Sequence, residues 1–148
     1  MLEQDLNVLL ASTFGMALKT QNYHWNVMGV EFYQLHEFYE EIYDELYEHV
    51  DIIAEAIRSM GEFPVGSLSE YVELSQIAED EEVVFDSFVQ VNNLVKANDV
   101  MIRIIKIAMT AAKDEGAEDI LDLLVNRLRQ HKKHGWMLNA MMTQSQRQ

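Results

Sequence analysis

Apolar residues recur every three or four positions through four long stretches of this 148-residue chain, and one proline and six glycines are all that could interrupt them. That spacing is the period of an α-helix, and a chain patterned this way hides its apolar side by packing helix against helix. In the first stretch Leu6, Leu10, Thr13, Ala17 and His24 fall on one line flanked by Leu9 and Phe14, which predicts helix A over about residues 3 to 27. Gly29 breaks the pattern. Helix B follows from about 32 to 60 with Leu35, Ile42, Leu46, Ile53, Ile57 and Met60 as its stripe, and Gly61 and Pro64 end it. Helix C repeats Val84, Phe88, Val91, Val95, Ile102, Ile105, Met109 and Ala112 and closes at Gly116. The acidic run "EDEE" at 79 to 82 is expected at its dipole-positive start. Helix D carries Leu121, Leu124, Leu128, His131, Gly135, Leu138 and Met142.

The A–B and C–D joins are short, so each pair forms an antiparallel hairpin, whereas about twenty residues separate B from C and imply a crossover. Within it, "SLSE" at 67 to 70 reads as a capping box, Ser67 to Glu70, that opens a short extra helix through about Ile77. Two hairpins joined by a crossover give an all-α, ferritin-like four-helix bundle with a short extra helix in the B–C crossover. Residues 1–148 read as a single domain without internal repeats.

Absence of cysteine removes thiolate metal sites and thiol nucleophiles and fits a reducing compartment. The opening "MLEQDLNVLL" lacks the basic region of a secretion signal, so a cytoplasmic location is expected. No uncharged apolar run reaches the roughly 20 residues of a bilayer span, so no membrane role is expected. The net charge is −14, and only Lys19 and Arg58 are basic before Lys96. Neither a basic arm nor a basic stripe is evident, and such a chain should repel phosphate backbones while drawing cations along its negative potential.

Helix B has a second stripe of polar and amphipathic residues, His36, Glu40, Tyr43, Tyr47, Asp51 and Glu55, at steps of three or four. Carboxylates on one helix face are often no more than a solvated surface. Imidazole and carboxylate together, however, suit iron, manganese or zinc, provided they converge within about 2.0 to 2.2 Å of the ion. The fifteen residues from His36 to Asp51 span roughly 22 Å along a straight helix, which excludes a site inside one chain. The objection disappears if helix B packs antiparallel against its own copy about a two-fold axis near Tyr43 and Asp44. His36 of one chain then lies level with residue 51 or 52 of the other, and an isologous interface repeats the site at both ends. Asp51 and Glu55, four apart, share a face. His24 precedes His36 by twelve residues, and a short hairpin could bring it alongside.

The stretch "NYHWNVMGVEFYQLHEFYEEIYDEL", the following "EHVDIIAEAI" and the later "RQHKKHGWML" resemble the Dps family of dodecameric mini-ferritins, over about residues 5 to 142. The spacing His, twelve, His, fifteen, Asp, four, Glu reproduces that family's ferroxidase motif. The resemblance implies His24 and His36 from one subunit and Asp51 and Glu55 from its two-fold mate as iron ligands, with Glu40 as an additional or bridging carboxylate. It implies a di-iron ferroxidase that oxidises Fe(II), with hydrogen peroxide as the preferred oxidant. Twelve subunits built from two-fold dimers would store the ferric oxide in a hollow shell and protect against oxidative damage. Larger ferritins instead place Glu-x-x-His pairs inside each bundle, and no Glu stands three residues before any His here.

Trp25 could quench a stray oxidising equivalent, with Tyr43 or Tyr47 helping, or it could simply pack the hairpin end. Asp122 matches a family acid that lines a three-fold pore, while a second such acid is replaced by Ala117, whose duty Glu118 and Asp119 could assume. Acids in a first helical turn also favour the dipole without any pore. His131 continues the apolar stripe of helix D and reads as a core histidine, although with His134 it could form a metal pair; His49 is read similarly. Gly135 is expected to permit a close helix approach, and Trp136, Met137 and Leu138 to be structural. The alternative function is DNA compaction, the activity that names the family. That role commonly uses a lysine-rich tail, whereas this chain ends "TQSQRQ", with Arg147 its only charge there, so direct DNA binding is not expected.

Overall fold

The computed structural model describes residues 1 to 145, which leaves Arg147 outside the described residues. Five helices follow in order: α1 (Leu2–Asn26), α2 (Phe32–Ser59), α3 (Leu68–Leu74), α4 (Ser87–Asp114) and α5 (Glu118–Ser145). The four long ones are the expected helices A to D, and α3 is the expected extra helix in the crossover. Closely packed pairs are α1 with α2, α1 with α4, and α4 with α5, while α2 and α5 stand farther apart. Their apolar stripes meet in one core that includes Leu6, Leu10, Ile42, Leu46, Met101, Ile105, Leu124 and Leu138. Among the described residues no helix is long and apolar enough to cross a membrane.

Local chemistry sets the boundaries. Gly116 takes a φ of +67°, a left-handed conformation that stops α4 and turns the chain into α5. Ser67 caps α3, accepting from the Glu70 amide at 3.3 Å and donating its hydroxyl to the Glu70 carboxylate at 2.6 Å. The helix ends at Leu74, short of Ile77, because Ser75 is already extended and Ile77 drops into the core. A Cβ at Gly135 would meet Asn98 Nδ2 at 2.8 Å, so the glycine does allow α5 its close approach to α4.

The start of α4 differs from expectation. Asp86 is the cap, its carboxylate accepting from the Val89 amide at 3.0 Å, and the acidic run 79–82 lies upstream in the crossover. Tertiary pairing accounts for this. The buried Lys19 ammonium donates to Asp80 at 2.9 Å and to the Ala78 carbonyl at 2.8 Å. The Tyr23 hydroxyl donates to the same Asp80 oxygen at 2.6 Å and accepts from Asn93 at 3.0 Å. A buried ammonium needs a carboxylate more than a helix dipole does, and Asp80 ties the crossover to α1.

Between α2 and α5 the core is polar. Arg127 of α5 is 0% exposed and forms a two-pronged pair with Glu45 of α2. His49 Nδ1 reaches the Glu45 carboxylate at 2.6 Å, and His131 and His134 are buried beside Arg127. Burial holds His131 down at about 3 and His134 at about 4, with the Arg127 charge adding to both. Burial would raise Glu45, yet hydrogen bonds from His49 and Arg127 prevail and hold it at about 2. The same Glu45 bond raises His49 against its burial.

The signs follow by linkage. An unfolded histidine takes its proton near pH ~6.5 whereas folded His131 and His134 do not, so stability falls as pH drops below that value. Glu45 stabilises above the unfolded carboxylate value of ~4.3 and loses this only as pH falls toward 2. His49 acts oppositely, its contribution complete below ~6.5 and lost as pH climbs through its raised value. Urea unfolding at fixed protein concentration should therefore show stability declining from pH 5.5 to 4.5. His134→Met should reduce that slope by about 1 kcal/mol per pH unit, a little under the ~1.36 kcal/mol of a full proton because His134 begins to protonate toward its value of about 4. An unchanged slope would mean that His134 is not held neutral.

Candidate metal centre

His24 lies in the last turns of α1 and His36 in the second turn of α2, and the turn at Gly29 folds one helix back on the other. The two imidazoles stack, with centroids 3.7 Å apart and planes 13° from parallel. Each is bonded to the other's backbone: His24 Nδ1 is 2.6 Å from the His36 carbonyl oxygen, and His36 Nδ1 is 2.7 Å from the His24 carbonyl oxygen. A carbonyl oxygen only accepts, so both Nδ1 atoms must carry the hydrogen. In the neutral rings both Nε2 atoms then hold a lone pair, which is the form of histidine that ligates metals. The second elements of the site are apolar. Phe32 stacks on His36 at 5.0 Å, and the Tyr43 ring meets His24 edge-on at 5.2 Å.

Other expected ligands lie elsewhere. Glu40 is half-buried next to Tyr43, whose phenol is pushed up by burial and by the Glu40 and Asp44 charges. Asp51 and Glu55 are exposed further along α2, and neither carboxylate is engaged by a hydrogen bond or ion pair among the described residues. Within one chain, no group of three or more histidine, aspartate or glutamate side chains gathers to hold an ion among the described residues. The chain thus presents an imidazole pair at one place on α2 and a carboxylate pair at another.

Trp25, beside His24, is 59% exposed in the single chain. Trp136, expected to be structural, is likewise exposed, whereas Leu138 is buried as expected. Glu118, Asp119 and Asp122 are all exposed at the start of α5. His131 is a core histidine, and the His131 and His134 rings stand 6.0 Å apart, edge to face.

Sequence reasoning passes over Arg127 and Glu45 altogether. The available signal is a cation one turn before His131 on the apolar side of helix D. It also misses the basic face of α4: Lys96, Arg103, Lys106 and Lys113 are exposed and spaced seven, three and seven apart, which puts them within about 100° of one another around the axis. The expectation that the chain has no basic stripe is corrected accordingly, although Asp99 and Asp114 share that face.

A family model described as a ferritin-like domain matches residues 3–147. The DNA protection during starvation protein 2 of Bacillus anthracis is 35% identical over 141 residues, 94% of this chain and 94% of that protein. The crystal structure of a Dps protein from Bacillus brevis superposes with a TM-score of 0.92 at 30% identity, covering 95% of this chain and 94% of that one. The Dps protein of Vibrio cholerae, described as a member of a broad superfamily of ferritin-like diiron-carboxylate proteins, does so with 0.91 at 33% identity, covering 95% and 88%.

The tautomers are directly checkable. Solid-state NMR of chains labelled with 15N-histidine should assign the neutral rings of His24 and His36 to the Nδ1–H tautomer, the opposite of the Nε2–H form that free histidine prefers. Finding Nε2–H at either position would remove the ligating lone pair from the geometry described.

Proposed function

Because the chain belongs to the Dps family of ferritin-like proteins, we propose that it binds Fe(II) at sites shared between two copies, oxidises it with hydrogen peroxide, and stores the ferric oxide inside a hollow, dodecameric shell. The observation that carries this is the reciprocal histidine lock, which leaves the Nε2 lone pair of each of two stacked rings uncommitted. Asp51 and Glu55, unengaged within the chain, supply the carboxylates from the mate, with Glu40 as an additional or bridging carboxylate.

Iron is the substrate here. Carboxylate oxygens favour the harder ferric product, so ligands of mixed type bind the ferrous ion and do not oppose its oxidation. Two ferrous ions give one electron each to a single peroxide, its O–O bond breaks, and water supplies the remaining oxygen of the ferric oxyhydroxide as protons are released. Pairing the electrons avoids free hydroxyl radical, and the exposed Trp25 beside His24 serves as a reserve electron donor. Glu118, Asp119 and Asp122 would lead cations inward by their negative potential.

A second reading, attachment to DNA, has the exposed basic face of α4 in its favour. Against it stands the net charge of −14 per chain, since affinity for DNA rests on displaced counterions. The expected outcome of a gel-shift titration is retardation at low salt at most, and none at moderate salt without a divalent cation. Retardation at moderate salt would favour the DNA reading.

Mixed assemblies test the shared site. Chains carrying His24→Ala and His36→Ala should be inactive, as should chains carrying Asp51→Ala and Glu55→Ala. Refolded together in equal amounts, half the pairs are mixed and each mixed pair regains one of its two sites, so about a quarter of the peroxide-dependent ferroxidation should return. A mixture as inactive as its parents would eliminate the inter-subunit site.

A further inference from the structure

Inside the bundle, away from the histidine pair, a second set of metal-type donors surrounds a guanidinium. Arg127 Nη1 and Nη2 engage the two oxygens of Glu45, the latter contact measuring 2.9 Å, and Nη2 also lies 3.2 Å from His131 Nε2. The tautomer of His131 is fixed from α4. Asn98 donates its Nδ2–H to the His131 backbone carbonyl at 2.8 Å, which orients the amide so that Asn98 Oδ1 faces His131 Nδ1, also at 2.8 Å. That oxygen can only accept, so Nδ1 carries the hydrogen and Nε2 presents its lone pair to the guanidinium. A carboxylate and an imidazole lone pair therefore converge on one cation, from α2 and from α5.

Two further imidazoles border the same place. His49 Nδ1 holds Glu45 Oε2 at 2.6 Å, and the His134 ring stands 6.0 Å from that of His131. His134 is only 6% exposed, and its Nδ1 has no hydrogen-bond partner. Arg127 itself is imperfectly served, because its buried Nε–H is also without an acceptor. One carboxylate and up to three imidazoles, drawn from facing helices of a four-helix bundle, are donors of the kind a divalent transition ion takes, and with the guanidinium standing between them no three of them gather closely enough to hold one.

We infer that Arg127 is a resident cation. It fills a carboxylate–imidazole ligand set within the bundle and thereby denies that set to ferrous ion, so that iron is bound only between subunits. A guanidinium suits this task because it does not lose its proton at any pH the protein meets, whereas a lysine buried there could. The pair also leaves little incentive for exchange: Glu45 is already neutralised, and expelling Arg127 from a fully enclosed position would leave its charge unpaired. Removing the side chain reverses that balance, since Glu45 would be left buried beside uncommitted imidazoles. The statement that iron is what Arg127 excludes rests on the ferroxidase reading above, while the filled ligand set stands independently of it.

The test uses the full chain with His24→Ala and His36→Ala, so that the inter-subunit site cannot contribute, and cobalt(II) as the probe. With Arg127 present, no cobalt should enter the bundle. With Arg127→Ala added, about one cobalt per chain should bind and show the intense visible bands of four- or five-coordinate cobalt with nitrogen ligands. Adding His131→Ala should abolish those bands. If the alanine variant is unfolded in chelator, cobalt should restore its helical circular dichroism, because binding to the folded state alone drives folding. The inference is overturned if a helical Arg127→Ala chain takes up no extra cobalt, if saturating cobalt fails to restore an unfolded one, or if the Arg127-containing chain already gives the His131-dependent bands. Failure of the ferroxidase reading would appear separately, as absence of peroxide-dependent iron oxidation in the unsubstituted protein.

Discussion

A straight helix advances about 1.5 Å per residue and cannot turn back, so His36 and Asp51 on α2 lie about 22 Å apart whatever the rest of the molecule does. Every functional conclusion depends on that rigidity. It divides the donors of the proposed centre into an imidazole half at the α1–α2 end and a carboxylate half further along the same helix. The imidazole half is well determined within one chain, because both rings are tied to backbone carbonyls and stacked on each other. The carboxylate half is left exposed and unengaged. Neither half alone has the donors to hold an iron pair, whereas two copies in the proposed antiparallel register would supply both.

The same device, an oxygen that accepts from histidine Nδ1–H, occurs at both polar centres of the molecule and has opposite consequences. At His24 and His36 it leaves the Nε2 lone pairs uncommitted beside an accessible tryptophan. At His131 the acceptor is Asn98, and the lone pair it fixes meets a buried guanidinium. Tautomer control thus serves the proposed ligation in one place and core pairing in the other. What separates them is the presence of Arg127, a difference of one side chain on a bundle whose helices are otherwise alike in pattern.

Much of this was legible in the residues, and the rest was hidden for a reason. Four helices and a capped fifth follow from periodicity, from Gly116 and from Ser67, all of which act over a few positions. The pairing of His24 with His36 follows from a short hairpin. Contacts between distant positions are what local reasoning cannot supply: Lys19 with Asp80 displaced the start of α4, and Arg127 with Glu45 built a polar core where an apolar one was expected. Exposure of Trp25 was equally illegible, since it sits in the last turn of α1, where what covers a side chain is decided by contacts distant in sequence. The basic face of α4 was written in the spacing from Lys96 to Lys113, but a net charge of −14 conceals a local excess of the opposite sign.

If the donors are divided between copies, metal binding and self-association become a single equilibrium. An ion held by His24 and His36 of one chain and by Asp51 and Glu55 of another stabilises the pair by its own binding free energy, and the pair raises the affinity for the ion by the same factor. Charge works in the same direction. Bringing two acidic chains together sets Asp51 and Glu55 of each against the acidic α2 of the other, a repulsion that a divalent ion between them relieves. A chain that met iron alone would offer it two imidazoles and release it easily. Iron is then oxidised only where an assembly already exists to receive the product, and that restriction follows from the length of one helix rather than from any added regulatory part.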